Sequence, residues 1–504
     1  MKEAVEKKPN ATHAMADVCL MLEGTYPYVP GGVSSWTHEL LNKQSHLKFH
    51  IVAILPRNDN PKMHYQMPDN VISLTNINLQ RLPAGEKLPE SKTRELFEAM
   101  KQPMINLTTG TASLRDLVQM IEALAPYQQK IGERTLLNSE TAWQVITDMY
   151  ETSFGESSML DYFWSWRAVM GGLCSLLLAD LPPARCYHAL STGYAGLLAA
   201  RAKLETRRPL ILTEHGIYTN ERRIEIASAD WLEDISSKTM TIDRTRLSLR
   251  DMWIETFTNY SRICYDTCDD IITLYNGNRI AQIADGADDA KIRIIPNGID
   301  VETYGSIIPE PQPRPTIALI GRVVPIKDIK NFIRAIAALR ESVPDLQVFV
   351  MGPMDEDRDY VEECKVMVEY LRLGDTLTFT GKVNIKDHLS KIKVLVSSSI
   401  SEAQPLVILE AGASGIPAVA TDVGACREMI TGKEDENPQL GPAGVVVPLA
   451  NPQALAQAIF SLLSDKEFYQ QCSNAMRTRV ALYYNKNDQH SAYKELYAAS
   501  CNKE

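Results

Sequence analysis

Short apolar runs alternate with stretches of helical apolar spacing along most of the chain. Val18 to Leu22 reads as a first buried strand, the loop from Glu23 to Val33 is rich in turn residues, and Val33 to Leu41 has helical spacing. Phe49 to Leu55 reads as a second strand. From about Asn58 to Arg167 the spacing is helical, broken by Pro83, Pro89, Pro103 and Pro126, which predicts a long, mostly helical insertion. Strands return at Ala184 to Leu190 and Leu210 to Thr213, with a helix over Gly193 to Ala202. Helices are expected over Ile217 to Ala229 and Arg246 to Cys264, then strands at Asp270 to Leu274 and Ile292 to Ile295. Pro296 to Asp300 is a turn signal, and Pro309, Pro311, Pro313 and Pro315 read as a stiff linker.

The second half repeats the alternation more cleanly. Strands are expected at Thr316 to Ile320, Leu346 to Met351, Leu377 to Thr380, Val394 to Val396, Ile416 to Ala420 and Val445 to Val447. Helices are expected up to about Glu341, over Tyr360 to Leu371, Pro452 to Leu463 and Lys466 to Tyr484, and over His490 to Ala499. Strands alternating with helices predict a parallel sheet covered on both faces, and the pattern occurs twice. The expected division is a first Rossmann-like domain over 1–308, carrying the insertion of about 58–167, and a second over 309–484. Residues 485–504 are expected to form a terminal helix that can return to the first domain.

A length of 504 residues fits two or three domains, and the net charge of −11 argues against a general binder of polyanions. A phosphate-bearing ligand would need a local basic pocket. The nine cysteines include no CxxC pair and read as scattered core thiols of a reducing cytosol. The amino-terminal residues do not read as a signal peptide, and the longest apolar stretch, near Val169 to Leu178, is too short to span a membrane. The expectation is a cytoplasmic protein whose membrane contact, if any, runs through a partner.

The candidate chemistry centres on Ser399 to Ala411. Two carboxylates, Glu402 and Glu410, are separated by seven residues. Glu402 falls in the loop after the strand at Val394 to Val396. Pro405 reads as the first turn of a helix, where its missing N–H costs nothing. Leu406, Val407, Ile408, Leu409, Ala411 and Ala413 leave that helix almost no polar face, so it reads as buried. A carboxylate inside it is costly unless hydrogen-bonded. A ribose diol would satisfy Glu410, a sugar hydroxyl would satisfy Glu402, and the helix start at Pro405, Leu406 and Val407 offers N–H groups to a diphosphate. Arg322 and Lys327, five apart in a loop after a strand, suit a shared anion. In the first half, Gly31 and Gly32 allow close backbone approach, and His188 and His215 fall at the carboxyl ends of predicted strands, where ligands of open α/β sheets gather. Asp355-Glu356-Asp357 has the form of a metal-binding acidic triplet, but it precedes a helix and reads as helix-start acids. No metal and no organic cofactor is expected.

Together these residues resemble the two-Rossmann-domain (GT-B) retaining glycosyltransferases of family four. The resemblance implies an α/β fold with two doubly wound parallel sheets facing a cleft. It implies that Glu402 and Glu410 bind donor sugar and ribose hydroxyls, that Arg322 and Lys327 clamp the diphosphate, and that Gly31 and Gly32 form the glycine loop. It also implies that His188, with His215 as a weaker match, contacts the donor sugar. Ala403 departs from the glycine that often follows the first acid. A narrower likeness, carried by 24–41, 213–222 and 399–412, is to the enzymes of bacterial Pel exopolysaccharide synthesis. It implies a UDP-sugar donor, a growing glycan as acceptor and an inner-membrane synthase complex as partner. The rival readings are a sugar-nucleotide epimerase and a non-catalytic nucleotide-sensing subunit.

Overall fold

The computed structural model describes residues 14–56, 61–128, 130–227 and 247–502. Among the described residues there are thirteen strands: β1 Ala16–Glu23, β2 Phe49–Leu55, β3 Val71–Asn78, β4 Ala184–Ala189, β5 Leu210–Glu214, β6 Asp270–Thr273, β7 Ile292–Ile294, β8 Thr316–Ile320, β9 Gln347–Met351, β10 Leu377–Gly381, β11 Val394–Ser397, β12 Ala418–Thr421 and β13 Gly444–Val447. They form a seven-stranded sheet, ordered β3-β2-β1-β4-β5-β6-β7, and a six-stranded sheet, ordered β10-β9-β8-β11-β12-β13. Each sheet pairs in parallel, with His188 of β4 opposite Leu20 of β1 and Ile211 of β5, and Val396 of β11 opposite Leu319 of β8. Parallel strands buried on both faces must be apolar almost throughout, and β2, β5, β8 and β11 are buried along their whole length.

The chain divides into two compact units. One holds Met1–Thr273, Arg279–Arg293 and Tyr493–Glu504; the other holds Leu274–Asn278 and Ile294–Ala492. The change therefore falls near residue 293 rather than in the proline-rich stretch at 309–315. The short helix Val301–Gly305 packs on the helix Leu406–Ala413, and Ile299 bridges Asn485, so these residues already belong with the second sheet.

Three local expectations change. The insertion begins with a strand: β3 pairs with β2 along its length, and only after it do the helices Glu90–Thr108, Leu114–Leu124, Glu140–Met149 and Met159–Leu178 follow. β3 is an edge strand with mixed exposure, so it lacks the apolar run that marks its neighbours. Pro103 does not break its helix, which runs from Glu90 to Thr108. Its neighbours Phe97, Met100, Met104 and Leu107 are buried in the core, and that packing outweighs the lost backbone hydrogen bond. The helices Asn276–Ala284, Val301–Gly305, Lys386–Leu389 and Cys426–Thr431 were not expected from the sequence pattern. The helices expected at 217–229 and 246–264 appear as Tyr218–Ala227 and Leu249–Thr267, and the expected ends at 228–229 and 246 lie outside the described residues.

Candidate active site

In the six-stranded sheet the strand order reverses between β8 and β11. Ligands of open α/β sheets bind at the carboxyl ends of the strands at such a point. The loops that leave β8 and β11 carry Arg322, Lys327 and Glu402. They are tied together by backbone and hydroxyl groups. Ile400 N donates to Ile326 O at 2.8 Å, and Ser398 Oγ donates to Lys327 O at 2.9 Å. Lys327 closes the 3-10 turn Pro325–Lys327, after which Asp328 caps the helix Ile329–Ser342. These ties hold the Lys327 ammonium against Glu402 Oε1 in an ion pair whose side chains are 20% and 16% exposed. Ser399 Oγ donates to the same oxygen at 2.8 Å.

Arg322 lies earlier in the same loop, ahead of the 3-10 turn, and meets a different acid. Its Nη1 donates to both Glu356 oxygens at 2.6 Å, in a solvent-exposed pair. The two cations thus have separate carboxylate partners here, rather than one shared anion. Two acids of the triplet have partners: Glu356 takes Arg322, and Asp357 caps the helix Arg358–Tyr370 by accepting from Tyr360 N at 3.0 Å. Two glycines let the loops close up. Gly352 has φ +157°, and a Cβ there would stand 2.0 Å from Gly321 O. Gly424 has φ +52°, and a Cβ there would stand 2.0 Å from Glu402 O, so the backbone after β12 presses on the Glu402 loop.

Pro405 is the cap of the helix Leu406–Ala413 rather than a residue of its first turn; its backbone is extended, and its carbonyl accepts from Ile408 N at 3.1 Å. Leu406 is 39% exposed and Val407 is half-buried, whereas Ile408, Leu409, Ala411, Gly412 and Ala413 are buried. The helix therefore buries its body and presents its amino end. Gln404 fixes that end by exchanging two hydrogen bonds with the backbone of Asn297, at 2.9 and 3.0 Å. Glu410, one turn into the helix, accepts from Tyr304 Oη at 2.9 Å. Burial raises the Glu410 carboxyl, and the Tyr304 hydrogen bond and the charges of Lys486 and Lys386 oppose that rise.

The first unit holds the remaining candidates. Gly31 caps the helix Gly32–Lys43 with an extended backbone, both glycines are exposed, and a Cβ on either would meet nothing within 4 Å. His188, at the end of β4, is fully buried. Its Nδ1 is hydrogen-bonded to Tyr497 Oη at 2.7 Å and its Nε2 to Thr213 Oγ1 at 2.9 Å. Thr213 Oγ1 is in turn 2.9 Å from Tyr493 Oη. Tyr493 and Tyr497 come from the helix Lys486–Cys501, which seals this strand end. A sugar could reach His188 only by displacing Tyr497 or Thr213. His215 lies edge-on to Trp36 at 4.7 Å, and Trp36 lies edge-on to Tyr493 at 5.2 Å, so the helix after the glycine loop, His215 and the terminal helix meet in one cluster.

Burial lowers the His188 imidazole to about 3, with a contribution from His215, and lowers His215 to about 4. Both folded values lie below the ordinary 6.5, so below that pH the unfolded chain binds more protons than the folded one. Stability should therefore fall as the pH is lowered from about 6.5, by roughly 1.4 kcal/mol per pH unit for each group. In urea unfolding at pH 7.5 and pH 5, His188→Gln should show a shallower pH dependence than the parent; an unchanged slope would contradict the buried neutral ring.

Sequence reasoning missed a second polar centre in this unit. Glu23, at the carboxyl end of β1, accepts from Tyr194 N at 3.0 Å, Tyr218 Oη at 2.8 Å and Arg222 Nη2 at 3.0 Å. It opens on a cavity of about 540 Å³, lined also by Ile54, Trp253 and Phe257. The strand order of the seven-stranded sheet reverses beside it, between β1 and β4. The only sequence signal was the position of Glu23 at a strand end.

Comparison with known proteins places both halves. A family model described as "Domain of unknown function (DUF3492)" matches residues 16–290, and one described as "Glycosyl transferases group 1" matches residues 300–479. A D-inositol 3-phosphate glycosyltransferase of Kineococcus radiotolerans is 28% identical over 200 residues, 36% of this chain and 45% of its own length. The lipopolysaccharide core biosynthesis mannosyltransferase LpsB of Rhizobium meliloti is 25% identical over 261 residues, 50% of this chain and 70% of its own length. The chain thus spans about half the length of the first of these relatives. Among solved structures, Anabaena Alr3699/HepE in complex with UDP has a TM-score of 0.56 at 13% identity, covering 96% of this chain and all of that one. Sucrose-phosphate synthase of Thermosynechococcus elongatus has a TM-score of 0.54 at 18% identity, with the same coverage. These likenesses show the fold class expected from the sequence, GT-B with two Rossmann-like parallel-sheet domains.

Proposed function

The chain belongs to the DUF3492 family, and from that premise, together with the glycosyl transferases group 1 match of its second half, we propose that it is a retaining glycosyltransferase. It moves a hexosyl unit from a UDP-sugar, UDP-glucose or a UDP-N-acetylhexosamine, to a growing exopolysaccharide. The observation that carries this reading is the meeting of Lys327 and Glu402 beside the amino end of the helix Leu406–Ala413, at the point where the strand order reverses.

In this reading the diphosphate of the donor sits on the helix amino end. Lys327 turns from Glu402 to share its charge with the phosphoryl oxygens, and Arg322 leaves the exposed Glu356 pair to do the same. Both cations stabilise charge that grows on the leaving diphosphate as the anomeric C–O bond breaks. Glu402, freed toward the sugar, accepts from a hydroxyl and steadies the developing oxocarbenium ion. The acceptor attacks from the face the diphosphate leaves, and a donor phosphate oxygen takes its proton. Glu410 holds the ribose, and backbone near Val383 to Ile385 reads the uracil. His188 and His215 act from within the first unit by supporting the wall behind the glycine loop at Gly31 and Gly32. The Pel-like runs favour a place in Pel polysaccharide synthesis, with an inner-membrane synthase complex as partner. Among the described residues no helix is long and apolar enough to cross a membrane.

UDP should raise the thermal midpoint of the full chain in a panel of UDP- and GDP-sugars, because a ligand of the native state alone stabilises it. Glu410→Ala should weaken UDP binding about 10–100-fold by calorimetry, the value of hydrogen bonds to a charged group. Equal UDP affinity in the variant and the parent would remove Glu410 from the site.

A further inference from the structure

Tyr304 is held at three points in the second unit. Its backbone lies in the short helix Val301–Gly305, started by Asp300, whose carboxylate accepts from Thr303 N at 3.0 Å. Its carbonyl accepts from Ser414 Oγ, just past the end of the helix Leu406–Ala413, at 2.9 Å. Its ring faces the Lys386 ammonium, 5.0 Å from the ring centroid. The third point is the hydroxyl, which donates to Glu410 Oε1 at 2.9 Å. The sequence separates Tyr304 from Glu410 by more than a hundred residues, and nothing in the motif around Glu410 asks for a phenol.

A carboxylate on a flexible side chain must be ordered before it can hold a ligand, and each ordered side chain costs affinity. The Tyr304 hydrogen bond carries out that ordering in advance. It also fixes the carboxylate plane through Oε1, so the direction in which the other oxygen can accept is set. Both residues are half-buried, and a hydrogen bond is electrostatically stronger in such a setting than in water.

We propose that Tyr304 is a positioning residue for the nucleotide: by holding Glu410 Oε1 it turns Oε2 toward the ribose, and so makes binding depend on the ribose hydroxyls. Lys386, stacked on the same ring, keeps the phenol in place. The inference rests on the donor reading above and deepens it, because it assigns discrimination between ribonucleotides and their deoxy counterparts to a residue outside the Glu402–Glu410 motif.

The test is calorimetry of the full chain with UDP and with 2′,3′-dideoxy-UDP. The parent should bind UDP more tightly than the dideoxy compound. Tyr304→Phe, which removes only the hydroxyl, should weaken UDP about 3–10-fold and leave the dideoxy affinity where it was, so that the ratio of the two shrinks. In a Glu410→Ala background the same substitution should have no further effect on UDP, since the pair acts as one unit. Two results overturn the inference: an unchanged ratio in Tyr304→Phe, whether from no loss or from equal losses for both nucleotides, or a full additional loss on top of Glu410→Ala. Failure of the parent to bind UDP at all would instead bring down the donor reading, and this inference with it.

Discussion

Lys327→Ala should lower kcat for sugar transfer about 10²–10³-fold, the loss seen when one preorganised donor to a developing negative charge is removed. The ammonium is placed by the 3-10 turn Pro325–Lys327 and by the Ser398 hydroxyl on its backbone carbonyl. These ties fix its backbone, so that only the side chain has to turn from Glu402 when the donor binds. Its removal acts twice in the same direction. The leaving diphosphate loses a charge, and Glu402, only 16% exposed, keeps Ser399 as its described partner and repels the phosphates. The donor KM should therefore rise as well. Lys327→Arg restores the charge on a planar fork of different reach and should recover part of the rate. The measurement is UDP release at saturating donor, with and without glycan, beside circular dichroism to confirm the fold. Turnover of Lys327→Ala within a few-fold of the parent would show that the pair with Glu402 is only structural.

The largest effect on stability is expected at Arg479→Leu, a loss of about 3–5 kcal/mol. Arg479 is 1% exposed, yet all three nitrogens of its guanidinium donate hydrogen bonds. Nε and Nη2 donate to Glu436, the latter at 2.8 Å; Nη1 donates to Ile430 O at 2.9 Å, and Nη2 also donates to Gly441 O at 2.7 Å. One side chain on the helix Lys466–Tyr483 thus secures the connection between the helix Cys426–Thr431 and β13. Leucine would leave a buried carboxylate and two carbonyls without their partner. Burial pushes the Glu436 carboxyl up, but the hydrogen bonds and charge of Arg479 outweigh it and hold it below the usual carboxylate range. A folded value below the unfolded one means that this contribution is present above the unfolded pKa and is lost as the pH falls through the folded one. The loss in Arg479→Leu should accordingly be largest at neutral pH and shrink in acid, in urea unfolding of the full chain. The double variant Arg479→Leu, Glu436→Leu should recover much of it, because it removes the stranded charge. A single variant as stable as the parent at pH 7 would contradict this account.

Much of the sheet was legible because strands buried on both faces must be apolar nearly throughout, and β2 and β8 begin and end where the pattern does. β3 was not, because an edge strand faces solvent and needs no such run. The motif residues were legible for a related reason. A polar residue in the loop that follows a buried strand lies toward the strand's carboxyl end whatever the rest of the chain does, and this placed Arg322, Lys327 and Glu402; His188 falls within the last residues of its own strand, β4.

The chain pattern alone determined the kind of elements, the double alternation and the identity of the acids and cations at the strand ends. Only the tertiary structure decided which of them face one another, because strand order is set by packing between segments far apart in sequence. It put the β8 and β11 loops side by side and so paired Lys327 with Glu402. It also gave Arg322 to Glu356, Tyr304 to Glu410, and His188 to a terminal helix some three hundred residues downstream. Local periodicity reports which face of a segment is buried, but not what buries it. The partner of a polar group at a strand end is fixed only when distant segments close around it.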